Sequence, residues 1–128
     1  MDFLLTLHGE MRWLVALVGV AACARYATAV LRGLEFGKPD RVLSATFVGL
    51  MDLNLLLGLI LFFGSETEDF ASRVEHLTTM VLAVFGAHAL SVMGRRGDSR
   101  RRFRVHLIGV LVVLALVAAG VLRLRGGW

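Results

Sequence analysis

The amino-acid sequence predicts an all-α protein, an integral membrane antiparallel four-helix bundle with up-down-up-down topology. Hydrophobic residues make up 57% of the 128 residues, whereas soluble domains average about 45–50% apolar residues. These residues gather into four runs, each close to the roughly 20 residues that a helix needs to cross a bilayer. The connections between the runs are short, which favours antiparallel neighbours in a bundle.

The four spans of this single transmembrane domain are predicted at about residues 10–33, 41–64, 74–94 and 104–123. The first helix centres on "WLVALVGVAACARYATAVL", and the preceding "MDFLLTL" can extend it back to Asp2. In "GLEFGKPD", Gly37 and Pro39 separate the first two helices. Asp40 is placed to cap the second helix.

The third and fourth helices have similar start signals. In "GSETEDFASR", Ser65 and Glu68 match a capping box, so the third helix is expected to begin before Val74. In "GRRGDSRRRFR", glycines break the chain, and Asp98 or Ser99 is expected to start the fourth helix.

The basic residues of the loops predict the orientation, because cytoplasmic loops carry an excess of Lys and Arg. The first and third loops hold nine such residues: Arg32, Lys38, Arg41, Arg95, Arg96, Arg100, Arg101, Arg102 and Arg104. Both termini are therefore expected on the outer side, and no cleavable signal peptide is evident because the N-terminus lacks a basic region. The arginine-rich loop is expected to attract anionic lipid. The bilayer is the predicted partner, and nucleic acid is not.

Four histidines lie within or beside these apolar spans, where ionisable groups usually face the bundle and have a function. Depth along the helices sorts them into an outer pair, His8 and His76, and an inner pair, His88 and His106. Two imidazoles from facing helices are what six-coordinate haem b requires. His76 and His88 are 12 residues apart, which turns their side chains by roughly 120°. One haem is therefore expected more readily than two.

A second group of polar residues lies near the middle of the spans. Arg25, Asp52, Asn54 and His88 are predicted to form a buried polar cluster. A carboxylate in hydrocarbon is paired or protonated, and Arg25 can bind Asp52 through two parallel hydrogen bonds. The cluster is then either a structural ion pair or a proton relay from Asp52 to His88. Alternatively, Arg25 or Arg12 holds a haem propionate.

The composition excludes several classes of function. The single cysteine, Cys23, allows neither an intramolecular disulfide nor a cysteine-based zinc site. No glycine-rich phosphate loop follows a strand, and no Ser/His/Asp set has usable spacing. An electron-transfer or accessory subunit is therefore expected rather than a stand-alone enzyme.

Short motifs in the first three spans resemble small bacterial four-transmembrane-helix proteins labelled cytochrome b-like. They are "LHGEMRWLV", Arg25 in "ACARY", "FGKPDRVLS", "LLLGLILFF" and "VEH", with the terminal Trp128. The resemblance implies a multi-pass protein of the bacterial inner membrane. Family members often have a histidine just before the leucine-rich run of the second helix, where this chain has Asp52. A haem here would therefore use histidines of the first and third helices; the alternative is that no haem binds.

Two functional hypotheses follow. In the first, the chain is a membrane haem b-binding electron-transfer protein or redox-complex subunit that works with quinone or other membrane redox subunits. His8 and His76 are its iron ligands, His88 and His106 are possible inner ligands, and Arg12 and Arg25 serve the propionates. In the second, the chain is a haem-free structural or assembly subunit, or a small proton-coupled carrier with a buried Arg25–Asp52–His88 cluster. Either protein could form oligomers.

Overall fold

The computed structural model describes residues 1–64 and 69–123. It contains four helices: α1 Asp2–Arg32, α2 Lys38–Gly64, α3 Phe70–Met93 and α4 Ser99–Arg123. α1 and α3 each pack against both α2 and α4, so that successive helices are neighbours around the bundle. The described residues contain no strand. The predicted all-α four-helix bundle is confirmed.

The first two helices begin and end at residues with a local reason to be there. α1 extends back to Asp2, and it ends at Gly33, whose φ of 65° lies in the left-handed region that favours glycine. The Gly33 N–H bonds the carbonyl of Ala29. α2 starts at Lys38, two residues before Asp40, which was predicted to cap it. Asp40 lies instead in the first turn of the helix, where its side chain accepts the N–H of Gly37 at 3.0 Å.

The last two helices are capped by aspartates. Asp69 accepts the backbone N–H of Ser72 at 3.2 Å and caps α3, and hydrogen bonds from Ser72 lower the pKa of its carboxyl. The predicted capping box of Ser65 and Glu68 lies outside the described residues. α4 begins at Ser99 after Asp98, which accepts the N–H of Arg101 at 2.8 Å.

The core runs along the bundle axis and combines small residues with a few large ones. An added Cβ at Gly19 would lie 2.8 Å from Leu114 Cδ2 and 3.0 Å from Phe47 Cε2, so this glycine lets α2 and α4 approach α1. The core includes Val15, Ala22, Tyr26, Phe47, Met51, Ala83, Ala87, Phe103, Val110 and Val113.

The outer surface of the bundle is apolar. All four helices are long and apolar enough to cross a membrane, and large side chains such as Leu17, Leu56 and Phe85 are exposed on it. The chain is thus a candidate multi-pass membrane protein. We call the end where α1 begins and α4 stops the terminal end. The opposite end, with the α1–α2 and α3–α4 connections, is the arginine end.

Candidate functional site

A cavity of about 340 Å³ lies among the helices near the terminal end. Most of its lining is apolar, with contributions from all four helices. The apolar side chains include Leu5, Val15, Met51, Leu55, Leu61, Phe62, Leu77, Met80, Val84 and Val117. Two histidines, two arginines and a few smaller polar groups interrupt this lining: His8, Arg12, Asn54, Asp69, Ser72, Arg73 and His76. An apolar pocket with few convergent polar groups is typical of a ligand site.

His8 reaches the cavity from α1 and is held by α2. Its Nδ1 lies 3.1 Å from the backbone oxygen of Asn54. The ring packs where α2 has a glycine, since an added Cβ at Gly58 would lie 3.0 Å from His8 Cε1. A carbonyl oxygen only accepts hydrogen bonds, so Nδ1 carries the proton. In the neutral ring, Nε2 then keeps its lone pair for a ligand.

His76 reaches the same cavity from α3 and is held by α4. Its Nδ1 lies 3.4 Å from the backbone oxygen of Gly120, which again assigns the proton to Nδ1. The centres of the His8 and His76 rings are 6.2 Å apart, and the ring planes are nearly perpendicular, at 88°. The structure therefore brings the predicted outer pair together. A backbone carbonyl of α2 holds His8, and a backbone carbonyl of α4 holds His76.

Two arginines add positive charge to the cavity wall. Arg12 lies one helical turn after His8, and its guanidinium is 5.5 Å from the centre of the Trp13 ring. Arg73 donates hydrogen bonds to the backbone oxygens of Leu61 and Phe62 at the end of α2, and it stacks over the Phe62 ring. The sequence interpretation missed Arg73 as a site residue. The signal was its position three residues before His76, which places both on one side of α3.

The side chain of Asn54 contributes a further polar atom to the same wall. Its Oδ1 is buried, and within residues 1–64 and 69–123 it has no hydrogen-bond partner. The cavity therefore offers an acceptor to a bound molecule as well as two imidazoles.

His106, by contrast, is part of the packed core at the arginine end. The ring is 6% exposed, and its Nδ1 is 3.2 Å from the Ser44 hydroxyl. It stacks on Phe36 at 5.1 Å between ring centres. An added Cβ at Gly94 would lie 2.6 Å from its Nε2, so the other side of the ring rests on the α3 terminus. Protein groups occupy both nitrogen edges of this imidazole.

His88 does not join His106, so the predicted inner pair is not assembled. Its Nε2 lies 2.8 Å from Asp52 Oδ1, on the outer surface of the bundle. The two side chains are 52% and 45% exposed. The neighbouring Ala87 is the buried residue of that turn, so α3 turns His88 outward. Asp52 and His88 thus meet, as one form of the predicted cluster requires, but they are not buried.

Arg25 has a partner other than the predicted Asp52. Its Nε and Nη2 donate to the two carboxylate oxygens of Asp40 at 2.7 and 3.2 Å. Asp40 is 2% exposed, and its backbone oxygen accepts the hydroxyl of Tyr26. Asp52 lies 12 residues further along α2, or about 18 Å along the axis, which puts it beyond the reach of Arg25. The predicted cluster is divided among three places, with Asn54 at the cavity.

Comparisons with protein-family models, curated proteins and solved structures found no match. Among the described residues, no three His, Cys, Asp or Glu side chains gather in a way that could hold a metal ion. The two-histidine cavity is therefore the site on which a functional proposal rests.

Proposed function

We propose that the cavity at the terminal end binds one haem b, with His8 and His76 as axial ligands, and that the chain transfers electrons in a bacterial cytoplasmic membrane. It would act as an electron-transfer protein or as a subunit of a larger redox complex. The observation that carries the proposal is the geometry of the two imidazoles across the cavity.

The spacing of the rings fits a shared iron. Two metal–nitrogen bonds of about 2 Å, plus the half-width of each imidazole, give roughly 6 Å between ring centres. His8 and His76 are 6.2 Å apart by that measure. Perpendicular planes are compatible with this role, because an axial imidazole is free to adopt any angle about the bond to the iron. Haem also needs only two protein ligands, because the porphyrin supplies the other four.

The hydrogen bonds of both rings support the same role. Histidines that bind a metal almost always donate their other N–H to a carboxylate, a carbonyl or water, which fixes the ring orientation. His8 donates to Asn54 and His76 donates to Gly120, both through Nδ1. In both neutral rings the lone pair is then on Nε2, which would be the ligand atom.

The remaining wall of the cavity suits a flat, apolar group with acidic edges. Leu, Val, Met and Phe side chains make up most of it, and they would contact the macrocycle. Arg12 and Arg73 would bind its propionates. Arg25 is held by Asp40 at the arginine end, so it is not proposed for this purpose.

A bound haem would supply one-electron redox chemistry, for which a quinone or another membrane redox subunit is the expected partner. The chain itself would hold the iron between two fixed imidazoles and keep water away with its apolar wall. With both termini outside, the orientation that the excess of Lys and Arg in the first and third loops predicts, this site would lie in the outer leaflet.

The visible spectrum of the protein purified in detergent from haem-replete cells tests the proposal. We expect a sharp α band after reduction with dithionite and one haem per chain. His8→Ala and His76→Ala should each abolish or greatly reduce the band. His88→Ala, which removes an exposed histidine, is the matched control and should retain it. A colourless, folded wild-type protein would exclude haem and leave the structural or assembly subunit as the alternative. The proton-coupled carrier is less favoured, because Arg25 lies apart from Asp52 and His88.

A further inference from the structure

The Asp52–His88 pair is a polar feature that the proposed haem site does not use. Asp52 belongs to α2 and His88 to α3, and the 2.8 Å hydrogen bond between them crosses the seam of these helices. Both side chains are about half exposed on the outside of the bundle. Neither side chain lines the histidine cavity.

The depth of the pair makes this exposure costly. Asp52 lies one residue beyond the midpoint of Lys38–Gly64, or about 1.5 Å along the axis. Ionisable side chains at this depth are rare, and they almost always face other protein or a water-filled cavity. The α2–α3 surface around Asp52 and His88 is therefore expected to be covered by protein in the membrane.

We propose that a second copy of this chain covers this surface, with a two-fold axis along the membrane normal through the α2–α3 faces. Both copies insert with the same topology, so the two pairs lie at the same depth. Viewed from the axis, each copy has α2 on one side of its face and α3 on the other. The two-fold rotation therefore sets α2 of one copy opposite α3 of the other copy. Asp52 of each copy therefore faces His88 of the other copy. Each carboxylate then meets an imidazole of the other copy, so the face that carries Asp52 and His88 is complementary to the same face of a second copy.

The chemistry of the two groups provides the additional bonds. A carboxylate accepts more than one hydrogen bond, and a protonated imidazole donates through both nitrogens. The bond within one copy uses Oδ1 of Asp52 and Nε2 of His88. In the dimer, Nδ1 of His88 donates to the carboxylate of the other copy. The four groups then form a closed ring without net charge, which is the arrangement that lowers the cost of burial.

The residues around the pair suit close packing of helices. An added Cβ at Gly49 would meet nothing within 4 Å, so the backbone of α2 is open to a neighbour there. The exposed Leu56, Phe85 and Val92 flank the pair and supply apolar contact area. Asp52 and His88 line neither the histidine cavity nor the shallow pocket beside Arg25 and Asp40.

Complementary single variants test the proposal directly. Asp52→His places two imidazoles on the face, and His88→Asp places two carboxylates there. Copies with donor or acceptor dyes on an N-terminal tag are reconstituted in phosphatidylcholine vesicles, and energy transfer is measured against the protein-to-lipid ratio. We expect wild type to self-associate and each variant alone to do so at least about tenfold more weakly, since two interhelical bonds are lost. A mixture of the two variants should recover most of the wild-type association.

A matched control uses an exposed ion pair at another seam. Glu75 and Arg123 join α3 to α4 at 3.3 Å, so Glu75→Arg and Arg123→Glu should leave association unchanged. Circular dichroism verifies that every variant is helical. Random-level energy transfer in wild type would overturn the proposal and point to a different protein or a quinol as the occupant. A mixture no stronger than its separate components would also overturn it, because Asp52 and His88 would then act only within one copy. Haem content does not enter this readout.

Discussion

Gly58→Ala is the substitution that most specifically perturbs His8 without removing a ligand. The added Cβ would lie 3.0 Å from His8 Cε1, whereas carbon atoms pack at about 3.5–4.0 Å. The ring must therefore retreat by a few tenths of an ångström. That movement disturbs its 3.1 Å bond to Asn54 and its 6.2 Å spacing from His76.

The expected loss of haem affinity can be judged from what a hydrogen bond to a metal-binding histidine contributes. Loss of a hydrogen bond that orients a metal ligand costs about 10–100-fold in metal affinity. We expect the haem Kd of Gly58→Ala to rise by roughly tenfold, and a larger side chain to abolish binding. The assay is a titration of haem into protein prepared without it in detergent, followed by visible absorbance.

Gly86→Ala is the matched control for this prediction. It makes the same change in a membrane helix, but its added Cβ meets nothing within 4 Å. Its haem Kd should equal that of wild type. Equal haem affinity in Gly58→Ala and Gly86→Ala would show that the position of His8 does not control haem binding.

Three further predictions concern the rest of the bundle. Asp40→Ala removes the partner of Arg25 and should lower the free energy of unfolding by about 2–3 kcal/mol in a denaturant titration. Lys38→Ala, the control, should change this free energy little. Equal stability of the two variants would show that the Arg25–Asp40 ion pair does not stabilise the fold. His106→Ala should lower the free energy of unfolding by about 2–4 kcal/mol, and its haem content should equal that of wild type. Loss of the α band in this variant would place a haem ligand at the arginine end. Hydrogen bonding lowers the pKa of the Asp69 carboxyl in the folded protein. The carboxylate therefore stabilises the start of α3 at pH values above the unfolded pKa of Asp, about 4. This stabilisation is lost as the pH falls through the lower pKa of the folded state. Hydrogen-exchange protection factors in the first turn of α3, corrected for the intrinsic exchange rate at each pH, should therefore fall on acidification in wild type but not in Asp69→Asn, which keeps a neutral cap. The same acid dependence of protection in both proteins would contradict this.

Position along each helix could be predicted well from the sequence. The four apolar runs determine the number of helices, and counting residues from their ends gives depth. His8 and His76 lie near the same end of their helices, so depth along the helix assigned them to one layer of the bundle, where the structure has the two ring centres 6.2 Å apart. The roughly 120° turn between His76 and His88 correctly anticipated that they serve different places, since one faces the cavity and the other the outer surface.

Contacts that depend on the rotation of a helix about its axis could not be predicted in the same way. His88 and His106 have similar depths, but α3 turns His88 outward, while α4 turns His106 into the core. Asp40 was interpreted as a helix cap, so its second role as the partner of Arg25 was missed. The short α1–α2 connection brings these two residues together, and only the packing angle of the helices shows it.

The proposed haem would have its iron between His8 and His76. Electron paramagnetic resonance of the oxidised protein, combined with a haem assay, is the sharpest test of this ligation. We expect one haem per chain with a low-spin ferric signal, because two imidazoles would complete the coordination of the iron. His8→Ala and His76→Ala should each convert that signal to high spin or remove the haem. A low-spin signal that survives in both variants, or a wild-type chain that binds no haem, would exclude His8 and His76 as the two ligands of a haem.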